Sequence, residues 1–324
     1  MLCPGQGAQV LGMGQRWVSR SRAAAEVMER ADAVLDLERP LSTYCFEGPE
    51  ADLSRTDIAQ PAIFACSVAC HAGLAEQGGQ DGGGGSSSSK GKASGPLGSA
   101  GSMGFAGLSL GEFTALHLAG AFSFEAGLEL VRLRGLAMQD AADANPGGMV
   151  ALTGEIDEAK AVAICDAASD EGVLVPANYN SPMQVVLSGD KAACTRAAEV
   201  AEARGLRATV LGVSGAFHSP LMKPAADRLA DALEAVHWSA PTSAVLSNVT
   251  GLPHGSDVVE IRSLLVRQLT EPVRWSQSMS WAAEHWPGRY VELAPGRVLS
   301  GLMRRISKST RVTNVNEPAA EAGG

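Results

Sequence analysis

At Gly107-Leu108-Ser109-Leu110-Gly111 a serine stands between two glycines, and Glu112 follows. Where a chain leaves a short strand and enters a helix, this spacing makes a nucleophile elbow. The glycines permit a sharp turn, and the hydroxyl is lifted to a helix N-terminus whose free N–H groups bind an oxyanion. The chemistry it points to is acyl transfer through a serine ester. An ordinary turn serine fits the same five residues, so the motif alone leaves both readings open.

A serine nucleophile needs a base, and six histidines compete for that role. His117 lies two turns past the elbow and is expected to pack or face solvent. His71, His237, His254 and His285 lack distinguishing neighbours and are expected to be core or surface residues. His218 sits in Gly215-Ala216-Phe217-His218-Ser219-Pro220, a small-residue loop between a strand and a helix, where site residues concentrate. Its imidazole can accept the Ser109 proton and return it to a leaving thiolate.

Other clusters read as structural. Cys66, Cys70 and His71 share one apolar segment and are expected to be core, with no metal site; the six cysteines, none in a C-x-x-C pair, read as reduced thiols. Gly91-Lys92 lacks the spacing and the preceding strand of a phosphate loop.

The elements that must hold Ser109 and His218 follow from periodicity. Helices are expected over 12–36, from Gln60-Pro61 to about residue 76 with Pro61 in the first turn, and over 113–121. A short strand over 103–106 leads into the elbow. Residues 78–102, which include four glycines and then four serines in a row, are expected to form a disordered loop. From 148 to 211 the order is strand 149–153, helix 157–168, strands 173–177 and 185–188, helix 191–203 and strand 207–211. That βαββαβ order is the ferredoxin-like one. Helices over 221–236, 258–269 and 298–307 then alternate with strands over 244–248 and 290–292, which points to a mostly parallel α/β sheet. The expected architecture is a large α/β-hydrolase-like catalytic domain (1–141 and 212–324) with an inserted small subdomain (142–211).

Of 324 residues, 45% are hydrophobic and 19% charged, with a net charge of −9. This is a globular composition, and its acidity argues against nucleic acid as partner. No apolar run reaches the ~18 residues of a membrane span, so neither a transmembrane helix nor a membrane partner is expected. A soluble monomer without a targeting peptide is the expectation.

These pieces together resemble the acyl-carrier-protein S-malonyltransferase family, which takes in the malonyl-CoA transacylases of fatty-acid synthesis and the acyltransferase domains of polyketide synthases. The matching segments run in order through Pro4-Gly5-Gln6-Gly7-Ala8-Gln9, Gln60-Pro61-Ala62, Gly107 to Glu112, Arg132-Leu133-Arg134-Gly135 and Asn178-Tyr179-Asn180-Ser181-Pro182. They continue through Ala216-Phe217-His218-Ser219, Leu221-Met222-Lys223-Pro224, Val266-Arg267-Gln268-Leu269 and Glu292-Leu293-Ala294-Pro295-Gly296. The resemblance implies Ser109 as nucleophile, His218 as base and Arg134 as clamp for a malonyl carboxylate. It implies backbone N–H groups of Gln6 and Leu110 as oxyanion hole, the Gln268 carbonyl as orienter of the histidine, and Gln60 as pocket wall. The substrates it implies are malonyl-CoA and the phosphopantetheine thiol of an acyl carrier protein, with no resident cofactor. Lys223, Arg304, Arg305 and Lys308 are the basic residues expected to meet that acidic carrier. Leu108 is similar to plant-type members, which implies a chloroplast or mitochondrion, and only Met1-Leu2-Cys3 precede the first loop, which implies a truncated first strand. Two other readings are an α/β-hydrolase-type serine esterase or thioesterase using an acid such as Asp190, and a degenerate paralogue that binds carrier protein without catalysis.

Overall fold

The computed structural model describes residues 1–80, 103–169, 172–213 and 215–319. Strand β1 (Leu2–Cys3) opens into a loop and then a helical block: α1 (Gln15–Arg20), α2 (Arg22–Val34), α3 (Leu41–Glu47), α4 (Glu50–Leu53) and α5 (Thr56–Gln80). The one helix expected over 12–36 is two. The Ser21 backbone is extended (φ −136°, ψ 123°), and its hydroxyl caps α2 by accepting from the Ala24 N–H at 3.0 Å.

Helix α5 starts at Thr56, so Pro61 lies inside it rather than in a first turn. Proline removes the N–H that the Asp57 carbonyl would otherwise receive. Arg132 supplies the substitute, donating Nη1–H to that carbonyl at 2.9 Å. Against expectation, Thr56–Gly78 is long and apolar enough for a membrane span, with mean hydropathy 1.5. Inside the protein 83% of its apolar window is buried, and Ile63, Phe64, Cys66 and Cys70 lie in the main core, so it packs as a central core helix. Residues 78–80 complete this helix instead of beginning a loop, and the rest of the Gly/Ser-rich stretch lies outside the described residues.

Strand β2 (Phe105–Gly107) runs directly into α6 (Leu110–Leu118), and α7 (Phe124–Ala144) follows. The next segment holds β3 (Gly147–Thr153), α8 (Glu158–Ala168), β4 (Leu174–Ser181), β5 (Gln184–Asp190), α9 (Lys191–Ala203) and β6 (Arg207–Val210), in the expected order. Its four strands pair antiparallel as β4-β5-β3-β6. The two helices cover them over a separate core that includes Val150, Leu152, Ile164, Val185 and Leu187.

The chain returns through a 3₁₀ turn (Pro220–Met222), α10 (Lys223–Ala235), β7 (Val245–Leu246), α11 (Val258–Arg267), α12 (Trp275–His285), β8 (Tyr290–Leu293), α13 (Val298–Ile306) and β9 (Val312–Val315). Five strands form a parallel sheet in the order β7-β2-β1-β8-β9. The result is an α/β fold with a parallel sheet. Strand β1 is two residues long yet central, with Leu2 in register with Ala106 on one side and Glu292 on the other.

Parallel strands all end on one side, so the loop after β1 and the turn after β2 emerge together. Cys3 is in register with Gly107 there. That edge is where open α/β sheets place their ligands. The smaller sheet is stitched on beside it. Tyr179 N–H donates to the Val273 carbonyl at 2.9 Å, Val273 N–H donates to that of Ala177 at 2.8 Å, and Arg274 meets Glu158 at 3.2 Å.

Candidate active site

The elbow is built on close backbone approach. A Cβ at Gly107 would lie 1.9 Å from the Gly111 backbone, and one at Gly111 would lie 2.1 Å from the Cys3 carbonyl oxygen. Only glycine fits either position, and the turn between them drives Ser109 to φ 52°, ψ −104°. Asn248 locks it there: its Oδ1 accepts from Ser109 N–H at 2.6 Å, and its Nδ2 donates to the Gly107 carbonyl at 2.7 Å. With that N–H engaged, Leu110, fully buried at the start of α6, carries the next N–H of the helix N-terminus. The loop bearing Gln6 lies against this turn, since a Cβ on Gly111 would also sit 2.9 Å from the Pro4 oxygen. The Gln6 side chain is turned to Thr56, donating to its Oγ1 at 3.2 Å.

His218 reaches Ser109 from the segment after β6, and it too has a left-handed backbone, φ 57°. Its Nδ1 is 2.7 Å from the Gln268 carbonyl, an acceptor only, so Nδ1 carries the proton. Nε2 is left bare to accept from Ser109 Oγ at 2.9 Å. Burial, helped by the nearby Arg134 cation, lowers the imidazole to about 4, only partly opposed by the Gln268 carbonyl. At neutral pH it is an uncharged base.

Arg134 projects from α7 and is fully buried. Nη1 donates to Gln60 Oε1 at 2.7 Å; Nη2 donates to Ser109 Oγ at 2.9 Å and to Gln268 Oε1 at 3.0 Å. Nε has no partner among the described residues. Burial lowers this guanidinium to about 10, opposed by the charge of Glu112, and it remains a cation at pH 7. A buried cation whose hydrogen bonds all go to neutral oxygens suits an incoming anion that brings paired acceptors. Gln60 is fully buried on α5 and places its remaining amide nitrogen 3.4 Å from Met138 Sδ.

Ser109, His218, Arg134, Gln60 and Gln268 therefore meet in one buried cluster, with Leu110 and the Gln6 loop at its elbow. His117 and His71 pack on aromatic rings, and His237 and His285 are exposed. His254, expected to be unremarkable, instead lies 2.7 Å from Glu112 Oε1, with both side chains 1% exposed. Glu112 and Asn248 join the site through partners 136 to 156 residues away along the chain, which their local sequence does not announce. The esterase arrangement does not form: the Asp190 carboxylate accepts from Val173 N–H at 2.7 Å within the small sheet, and His218 Nδ1 meets a carbonyl instead. Of the four basic residues expected at the carrier surface, Lys223 pairs with Asp227, while Arg304, Arg305 and Lys308 are exposed.

A strained serine, a neutral imidazole and a buried guanidinium at the end of a parallel sheet are equipped for acyl transfer. The chain belongs to the acyl transferase domain family, whose model matches residues 1–84 and 93–321. It is 37% identical over 318 residues to the malonyl CoA-acyl carrier protein transacylase of Salmonella typhimurium, spanning 98% of this chain and 95% of that protein. The acyl-carrier-protein-S-malonyltransferase structure from Bartonella henselae superposes with a TM-score of 0.86 at 38% identity, over 97% of this chain and 94% of the other. A malonyl-transacylase solved in complex with its type II polyketide acyl-carrier protein gives 0.86 at 36%, over 98% and 96%. The plant-type likeness drawn from Leu108, and the organellar address with it, find no support: the two source organisms named here are bacteria. The chain is an acyltransferase.

Proposed function

We propose that this acyltransferase moves a malonyl group from malonyl-CoA to the phosphopantetheine thiol of an acyl carrier protein, through an ester on Ser109. The observation that carries the reading is the double contact at Ser109 Oγ, which lies 2.9 Å from both His218 Nε2 and Arg134 Nη2. A base and a carboxylate-binding cation thus converge on one nucleophile.

In the first half-reaction Ser109 Oγ gives its proton to His218 Nε2 as it attacks the thioester carbon. Backbone N–H groups of Gln6 and Leu110 hold the oxyanion. Collapse breaks the C–S bond, and the coenzyme A thiolate takes the proton from His218. The second half-reaction runs in reverse: the carrier's thiol gives its proton to His218 and attacks the ester, and Ser109 leaves with that proton restored. Arg134 holds the malonyl carboxylate throughout, and Gln60 and Gln268 hold Arg134. An acetyl group brings no anion and leaves the buried cation without a directly bonded counter-charge. Phe217, buried next to His218 in the chain, is the side chain proposed to limit room for an α-branched acyl group.

The finer architecture belongs to the same reading. The large unit (1–141 and 212–324) is α/β-hydrolase-like, supported by an elbow that follows a strand inside a parallel sheet. The unit at 142–211 is ferredoxin-like, supported by its βαββαβ order and the pairing β4-β5-β3-β6. Incubation with malonyl-CoA followed by peptide mass spectrometry tests the chemistry. A malonyl adduct on the Ser109 peptide, discharged by a phosphopantetheinylated carrier protein, is the expected outcome. Free malonate release without carrier would mark a thioesterase, and no adduct would mark a non-catalytic binder.

A further inference from the structure

The Gln268 amide touches three functional groups at once. Its Oε1 accepts from Arg134 at 3.0 Å, its Nε2 donates to the Ser109 carbonyl at 3.0 Å and to Glu112 Oε2 at 2.6 Å, and its own backbone carbonyl receives His218 Nδ1–H. An amide in this position has two orientations. In one its oxygen faces the guanidinium; in the other its NH₂ does, and two donors oppose each other. The acceptors facing Nε2 impose the first orientation: the Ser109 carbonyl and, at the shorter distance, Glu112 Oε2.

We propose that Glu112, held by His254, is a positioning residue that fixes the Gln268 amide and thereby sets the preference for a charged over a neutral acyl group. An ionised carboxylate only accepts, so it compels Nε2 to face it and turns Oε1 toward Arg134. The carboxylate is itself immobilised. Oε2 also accepts from Asn248 N–H at 3.1 Å, and Oε1 lies 2.7 Å from His254 Nε2. Asn248 holds the Ser109 N–H, so the same carboxylate steadies the nucleophile's turn. Glu112 is also the acidic group whose charge acts on the buried Arg134. His254 reaches it from the loop before α11, and that imidazole's side chain is 1% exposed. The chain thus runs His254, Glu112, Gln268, Arg134, without touching the acyl group until its last member.

This inference rests on malonyl transfer through Ser109, so the wild-type protein is assayed first for malonyl loading and for malonyl-over-acetyl preference; failure there removes the functional reading itself. Glu112→Gln replaces the carboxylate acceptor with a weaker amide oxygen and loosens the hold on Gln268 Nε2. It is expected to lower the ratio of kcat/KM for malonyl-CoA to that for acetyl-CoA roughly tenfold to a hundredfold, the worth of one hydrogen bond to a charged group. His254→Leu removes the group that holds Glu112 and is expected to shift the ratio the same way, whereas His254→Gln keeps a donor and restores it. A purely structural role would lower both substrates by one factor along with the melting temperature. That outcome, or an unchanged ratio in both Glu112→Gln and His254→Leu, overturns the proposal.

Discussion

Ser109 and His218 are the non-glycine residues with left-handed φ among the described residues, at 52° and 57°. Each such backbone costs on the order of 1–3 kcal/mol and persists only where its surroundings over-determine it, here through Asn248 and Gln268. Replacing Ser109 with Ala is expected to abolish the covalent adduct and lower transfer by several orders of magnitude, read by mass spectrometry and carrier loading. His218→Ala is expected to slow acylation comparably in a rapid-quench assay. The imidazole's fall to about 4 also gives a sign for pH. Acylation by malonyl-CoA, read as kcat/KM, should hold well below the ordinary histidine value of 6.5 and decline only as pH approaches about 4; an inflection at or above 6.5 would contradict the assignment. Stability moves with it: between about 6.5 and about 4 the unfolded chain takes up a proton that the native site refuses, so this group lowers stability as pH falls through that window and contributes nothing above it. Arg134→Ala should cut kcat/KM for malonyl-CoA while sparing acetyl-CoA, and an equal loss for both would remove its role as the carboxylate's partner.

The element that matters most is α6, whose start is set by backbone contact with two strands. Gly111→Ala would push a Cβ to 2.1 Å from the Cys3 oxygen. Backbone at both ends leaves little room to give, so a melting temperature lowered by about 5 °C or more is expected in a thermal scan. Elements of this kind differ in how far sequence exposes them. The small sheet was legible because its strands are four to eight residues long and helices punctuate them. Strand β1 was legible only through the family resemblance, which placed a truncated first strand at Met1-Leu2-Cys3; on its own it is two residues whose strand identity comes from neighbours more than a hundred positions away. The interior position of Pro61 was hidden for a related reason, since the Arg132 side chain that satisfies the orphaned carbonyl comes from α7. At the site, Ser109 and His218 sit in turns that their local sequence announces. Glu112 and His254 acquire meaning only through contacts across 142 residues.

At the scale of the whole molecule, a net charge of −9 coexists with a basic run on and after α13. Arg304, Arg305 and Lys308 are exposed there, and α13 follows β8, a strand parallel to β1. Lys223 is already paired with Asp227, so the remaining three should carry most of the attraction for an acidic carrier. Changing all four to Glu is expected to raise KM for carrier protein more than for malonyl-CoA, most clearly at low salt, where charge steering is least screened. An unaltered carrier KM at low ionic strength would place docking elsewhere. The site's dispersion along the chain has a further effect, on timing. Gln268 joins Ser109 across 159 residues, an interval that a ribosome working at ~5–20 residues per second takes on the order of ten seconds to cover. Until Gln268 is made, Ser109 has no oriented imidazole, and Arg134, synthesised 25 residues after Ser109, lacks its Gln268 oxygen partner. Translation therefore delivers the proposed nucleophile first and the groups that would activate it late, which keeps the growing chain chemically silent until most of it has been made.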